Sequence, residues 1–263
     1  QLITTRTVSL DEKGTVFDFL SGKYRENPYV FLVENLVVEK DRIKDVIEEY
    51  PELFRYSYQY EDREDILGLL YISLKNLGSR KATGSYYTPT VLGNKLCSKL
   101  FSMNECKNRT VLDPCCGTGN FILQLPQEID YRDVYGNDMD AVSVKIARIN
   151  YALKYCISDR KIIEHHITRR DYLTFTDEKK YDFIIGNPPW GYTFPEPEKE
   201  QLRKRYRSAA GTTIESYDMF CEQALCQLKE GGVLSFIVPE AILNVKAHTK
   251  IREIMTKNSS FQY

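Results

Sequence analysis

The sequence has little from which a metal centre or a disulfide framework could be built. No C-x-x-C pair occurs among its seven cysteines. The three histidines, His165, His166 and His248, have no cysteine or carboxylate neighbours at a recurrent ligand spacing, so no structural zinc site is expected. An odd cysteine count, with Cys115 and Cys116 adjacent in a tight turn, argues for reduced thiols, as in a cytoplasmic protein. No apolar run approaches the ~20 residues of a spanning helix, and no basic-then-apolar segment opens the chain, so neither membrane insertion nor export is expected. Net charge is nearly absent too, with 36 Lys+Arg against 37 Asp+Glu. Any electropositive surface must therefore be local. The first residue is Gln1 rather than Met, which points to a longer parent chain.

What is present is the composition of a soluble globular protein, 42% hydrophobic and 28% charged over 263 residues. That length suffices for one large domain with a smaller appendage. Residues 1–80 read as a helical N-terminal region. In "EDREDILGLLYISLKNLGSR", Ile66, Leu69, Leu70, Ser73, Leu74 and Leu77 form a helical stripe, opened by Glu61, Asp62, Glu64 and Asp65 and closed by Gly78, Arg80 and Lys81. The dense tyrosines here read as packing residues. Residues 81–263 alternate helix and strand. Strands are expected at about 110–114, 132–138, 161–168, 181–186 and 232–238, with helices at about 89–104, 140–154, 217–229 and 246–257. Such alternation gives an α/β, doubly wound, mostly parallel sheet whose ligand lies beyond the carboxyl ends of the strands.

The strand ends carry the chemistry. The first ends in "DPCCGTGN" (113–120), where Gly117 and Gly119 permit a sharp turn and close approach of a ligand, and the helix from Asn120 offers free amides. The third glycine of GxGxxG is lacking, and Asp113 would repel a pyrophosphate. A ligand carrying an ammonium and an adenosine, such as S-adenosylmethionine, would welcome that carboxylate; the alternative is a strand-to-helix turn and nothing more. Asp138, 25 residues after Asp113, is placed to bind ribose hydroxyls, with Met139 against an adenine face. Helix N-capping by Asp138 and Asp140 is its alternative. Asp171 suits an adenine amino group, with Tyr172 beside the ring, or is a solvated loop acid. The fourth strand ends in "GNPPWGY", where Asn187 Oδ1 and the Pro188 carbonyl, stiffened by Pro188 and Pro189, offer two acceptors to a planar NH₂, and Trp190 offers a stacking face. Binding both hydrogens favours a pyramidal nitrogen whose lone pair points at an electrophile. A proline-rich turn is the plain alternative. Just beyond, "KEQLRKRYR" (199–207) carries Lys199, Arg203, Lys204, Arg205 and Arg207, which read equally as phosphate contacts or as a solvated helix face.

The ordered set "GSYYTP" (84–89), "DPCCGTGNFIL" (113–123), "YGNDMD" (135–140), "RDYL" (170–173), "DFIIGNPPWG" (182–191) and "GGVLSFIVP" (231–239) resembles the gamma-class adenine-N6 DNA methyltransferases of restriction-modification systems. The likeness runs over residues ~65 to 258, and "LGLLYISL…RKATGSYYTP" looks most like the large bifunctional enzymes that join methylation and recognition in one chain. The resemblance implies a Rossmann-like S-adenosylmethionine-dependent methyltransferase fold acting on a flipped adenine of double-stranded DNA. It places Tyr87, Thr88, Asp113 and Gly117 at the methionine end of the cofactor, Asp138 at the ribose, and Asp171 and Phe220 at the adenine. Cys115, Gly119, Asn120, Met139, Tyr172 and Asn187 complete that set, and Asn187, Pro188, Pro189 and Trp190 form the catalytic one. Tryptophan replaces the commoner tyrosine or phenylalanine after N-P-P, and Cys115 stands where alanine is usual. A hairpin that completes a seven-stranded sheet, and a target-recognition domain or subunit, are implied outside these residues, so the chain alone is expected to bind cofactor but methylate poorly. No PD-(D/E)XK nuclease motif is evident. A protein glutamine or RNA adenine methyltransferase would present the same NH₂ geometry, but the YTP element and Trp190 favour DNA.

Overall fold

Two fully buried strands at the centre and three partly buried ones beside them build the sheet. The computed structural model of the chain describes residues 21–36, 40–50, 63–74, 88–175, 178–211 and 213–261. Strands β1 (Val111–Asp113), β2 (Val134–Asp138), β3 (Ile167–Arg169), β4 (Tyr181–Gly186) and β5 (Leu228–Phe236) lie parallel in the order β3-β2-β1-β4-β5. Every residue of β1 and β4 is buried, as expected for parallel strands covered on both faces. Alternate side chains point to opposite layers: Val111, Phe183 and Ile185 enter one apolar cluster, and Leu112 and Ile184 the other.

Upstream helices are α1 (Val30–Leu36), α2 (Lys40–Glu49) and α3 (Ile66–Leu74). The first sheet face is covered by α4 (Thr90–Met103), α5 (Asn120–Gln124), α6 (Ala141–Tyr155) and α7 (Arg160–His166) through Leu100, Phe121, Val144, Ala147 and Ile163, joined by Leu32 of α1. The second is covered by α8 (Glu196–Arg205) and α9 (Ser216–Gln227) through Leu202, Met219, Phe220 and Ala224. Helices α10 (Ala241–Asn244) and α11 (Thr249–Asn258) pack Ile242, Ile251 and Ile254 against Tyr217 and Cys221 of α9. At the other end of the sheet Asp182 pins three strands. Its carboxylate accepts from the Thr110 amide (2.8 Å), Arg109 (3.0 Å) and Lys229 (2.7 Å). Burial opposes ionisation there, but these donors outweigh it and hold the carboxyl well below the usual range.

The doubly wound α/β sheet is the one expected, but one local reading is corrected. Residues 161–168 were expected as a strand; Arg160–His166 is a helix, and only Ile167–Arg169 pairs with β2. The Asp159 side chain accepts from the amides of Lys161 and Ile162, and Arg160 pairs with Glu164 one turn on, so capping prevails over the β-branched run. The helical stripe expected from Ile66 is helical over α3, but its leucines are not its buried side: Leu69 is 51% and Leu74 86% exposed, while Gly68 is buried. Leu77, Gly78, Arg80 and Lys81 lie outside the described residues. No helix among the described residues is long and apolar enough to cross a membrane.

Candidate functional site

The chain runs from β1 outward through β2 to β3, then returns to place β4 on the other side of β1. The loops after β1 and β4 thus diverge at a topological switch point, where doubly wound sheets bind ligands. A cavity of about 390 Å³ opens there, lined from the ends of β1, β2, β3 and β4 and by Ile72 of α3 and Phe220 of α9.

After β1 the chain turns through Gly117 (φ +53°) and Gly119 (φ +93°), and the Gly119 amide closes the turn on the Cys116 carbonyl at 2.8 Å. Asn137 of β2 ties neighbouring loops together, its carbonyl accepting from the Cys116 amide and its side chain donating to the Pro114 (3.3 Å) and Arg170 (3.0 Å) carbonyls. Asp138 accepts from the amides of Gly117 (2.9 Å) and Asp140 (2.8 Å). Burial raises its pKa, and these amides pull it back. Asp140 is the N-cap of α6, accepting from the Ser143 amide at 2.7 Å. The two neighbouring acids therefore part company: one caps a helix, and the other holds the glycine turn at the cavity wall.

Asp171 accepts from the Leu173 amide (3.0 Å) and the Thr174 hydroxyl (2.9 Å) at the cavity edge. Tyr172 beside it anchors its hydroxyl on Gln227 at 2.5 Å, and its ring lies 5.1 Å from that of Phe220. Met139 is 53% exposed on the cavity rim. After β4, the Asn187 amide nitrogen donates to the Thr88 hydroxyl at 3.1 Å, and the Thr88 carbonyl accepts from Asn120 at 2.5 Å. Among the described residues, Asn187 Oδ1, Asn120 Oδ1 and Asp113 Oδ2 are buried without a hydrogen-bond partner. Such atoms are costly unless a ligand completes them.

Most of the residues expected at the site converge on this cavity. Thr88, Cys115, Gly117, Asn120, Asp138, Met139, Asp171, Tyr172, Asn187, Pro189 and Phe220 line it. Asp113 lies beneath the lining, its Oδ1 accepting from the Cys115 amide at 3.2 Å, and burial pushes its carboxyl up to about 8. Burial and Asp113 push the Cys115 thiol well up, leaving it a neutral wall. Gly119 supplies backbone shape rather than lining. Pro188 is buried beside the lining. Trp190 packs, partly buried, against the cluster of Tyr217, Ile242 and Ile254. Tyr87 lies outside the described residues.

The basic run divides. Lys199 pairs with Glu196 at 2.6 Å, and Arg205 donates to the Thr174 (2.7 Å) and Phe175 (3.1 Å) carbonyls, tying α8 to the loop after β3. Arg203, Lys204 and Arg207 are exposed. Sequence reasoning passed over Asn137, Tyr192, Glu198 and Ser216. Tyr192 and Glu198 line the cavity, and the Ser216 hydroxyl donates to the Pro189 carbonyl at 2.5 Å. Only Ser216 left a signal, as a hydroxyl opening the helix that carries Phe220.

Comparison with known proteins is consistent with this geometry. A family model described as N-6 DNA Methylase matches residues 62–262. The Type II methyltransferase M.VspI of Vibrio sp. (strain 343) is 30% identical over 178 residues, covering 66% of this chain and 41% of that protein. The chain thus spans less than half the length of this relative. Among solved structures, a class I S-adenosylmethionine-dependent methyltransferase from Listeria monocytogenes, itself assigned only provisionally, superposes with a TM-score of 0.59 at 20% identity, over 94% of this chain and 79% of that one. The DrdV–DNA complex gives 0.62 at 18% identity, over 94% and 31%. Both share the fold.

Proposed function

Because the chain belongs to the N-6 DNA methylase family, we propose that it carries the methyl-transferring domain of a restriction-modification protein, modifying the N6 amino group of an adenine in double-stranded DNA with S-adenosylmethionine as donor. The residues fit that donor. Carboxylates end β2 and the loop after β3, an aromatic pair stands at 5.1 Å beside the second, and partnerless buried oxygens cluster between the ends of β1 and β4. Thr88, Asp113, Cys115, Gly117, Gly119 and Asn120 would hold the methionine end, Asp138 the ribose, and Met139, Asp171, Tyr172 and Phe220 the adenine. When bound, S-adenosylmethionine supplies an electrophilic methyl group.

The chain's own work is to present the acceptor amine. The observation that carries the reading is Asn187: its nitrogen is tied to Thr88, which leaves Oδ1 buried, oriented and without a partner among the described residues. Oδ1 and the Pro188 carbonyl accept hydrogen bonds from the two amine hydrogens, drawing the nitrogen lone pair out of conjugation with the purine and towards the methyl group, so no strong base is required before transfer. Ser216 fixes the far side of the same loop through Pro189. Trp190, backed by Tyr217 and Ile254, offers its remaining surface to the extruded base, a stack worth ~1–3 kcal/mol. A target-recognition domain or subunit outside these residues selects the site.

In the full-length protein, Asn187→Ala is expected to lower methyl transfer by about 10²–10³-fold or more, with affinity for S-adenosylmethionine kept within a few fold. Tritium transfer to DNA and calorimetric titration measure the two. Near wild-type methylation by the variant would exclude Asn187 as the acceptor that grips the amine.

A further inference from the structure

The helix upstream of the glycine turn reaches into it. Asp65 opens α3 and is only 1% exposed, 53 residues from Thr118 and 85 from Asn150. Its carboxylate accepts from the Gly68 amide (2.9 Å), from the Asn150 side chain (2.8 Å) and, through a short hydrogen bond, from the Thr118 hydroxyl. The same Asn150 nitrogen donates to the Thr118 carbonyl at 2.8 Å, so Thr118 is gripped at side chain and main chain together. A Cβ on Gly68 would overlap both the Asp65 carboxylate and the Thr118 hydroxyl, so the helix approaches this closely only because glycine stands there. One turn further on, Tyr71 donates to both Asp140 oxygens (2.9 and 3.1 Å), and Ile72 lines the cavity.

Thr118 sits between the two glycines whose φ angles are positive. Glycine reaches those angles freely, and for the same reason holds them weakly. The two glycines lend the turn no stiffness, and its shape decides whether the Gly117 amide meets Asp138 at the cavity wall. Resting on the cofactor reading above, we propose that Asp65 is a positioning residue of the cofactor site: by clamping Thr118 it fixes the glycine turn in its binding shape and makes α3 part of the site's wall. Three donors satisfy the carboxylate, two of them fixed by the turn and α6, so the clamp forms only when all three segments are in place.

The test uses S-adenosylhomocysteine as probe on the whole chain, with dissociation constants, melting temperatures and hydrogen exchange at the Gly119 amide measured for Asp65→Asn, Thr118→Val and Thr118→Ser. Asp65→Asn and Thr118→Val are expected to raise the dissociation constant at least tenfold, measured well below the melting temperature, and to speed Gly119 exchange. Thr118→Ser, which keeps the hydroxyl, restores both. The double variant Asp65→Asn/Thr118→Val should bind no worse than the weaker single variant, since one linkage is lost twice. Should Asp65→Asn fail to fold, the Thr118 pair decides alone. Lowered melting temperatures with affinities within twofold of the parent would reduce the network to a structural one and overturn the proposal. If the parent chain binds no probe at all, the cofactor reading fails, whereas an unchanged Gly119 exchange rate in the variants defeats the clamp itself.

Discussion

A carboxylate removed from water and left without a donor keeps its proton. Asp113 is 1% exposed, Oδ2 has no partner among the described residues, and burial, with a smaller contribution from Asp138, pushes the carboxyl up to about 8. In the unfolded chain it titrates near ~3.9. Between about pH 4 and pH 8 the unfolded state has lost a proton that the folded state still holds, so this residue makes stability fall as pH rises across that window and level off above it. Asp113→Asn is expected to flatten that slope in thermal melts without ligand. A cationic ligand reverses the preference by favouring the ionised form. S-adenosylmethionine should therefore release protons on binding near neutrality and bind more tightly as pH rises towards 8, which calorimetry in two buffers of different ionisation enthalpy detects. Equal heats in both buffers would separate Asp113 from the ligand. Residues of this kind are legible in the sequence because they sit at strand ends beside glycine and proline. Asp65 and Ser216 are legible only as residues that open a helix, because their partners lie 53 and 27 residues away and only the folded chain brings them together.

The turn that ends β4 depends on a backbone angle. Gly186 has φ +150°, and a Cβ there would stand 2.7 Å from Asp113 Oδ1 and 3.2 Å from Cys115 Sγ. Its carbonyl also accepts from the Ile237 amide at 2.9 Å, which registers the chain after β5 against the N-P-P-W loop. Gly186→Ala is expected to destabilise by roughly 1–3 kcal/mol from the backbone angle alone, and more once the Asp113 contact is included. A melting temperature within a degree of the parent would show that the turn can yield. Elements such as β4 were readable because an apolar run bounded by Asp182 and Gly186-Asn187-Pro188 has one reading. Segment 161–168 was not, since "KIIEHHI" has the β-branched composition of a strand and becomes helical through a cap at Asp159 and burial of Ile163 against the sheet. In α3 the helical period was legible but the packed face was not, because the helix presses Gly68 against a loop and leaves Leu67, Leu69 and Leu74 exposed.

For the whole molecule, the sheet order β3-β2-β1-β4-β5 places the glycine turn and the N-P-P-W loop side by side, and α8 begins five residues after Gly191. A formal charge of −1 gives no general attraction to DNA, so any steering must come from a local patch such as the exposed end of α8. Of its four cations two are held within the fold, Lys199 by Glu196 and Arg205 by carbonyls of the loop after β3, and Arg207 follows its end. Arg203, Lys204 and Arg207 remain exposed, close in sequence to the loop that would receive the extruded base. If Arg203 and Lys204 each neutralise a phosphate, replacing both with alanine should lower the steepness of log affinity against log salt by about 1.8, from ~0.9 per contact on B-DNA. Affinity for S-adenosylmethionine should not change, because neither residue lines the cavity. Arg205→Ala should act differently, loosening α8 and lowering the melting temperature. An unchanged salt slope in the double variant would leave α8 as a solvated face and move the backbone contacts to surfaces outside these residues.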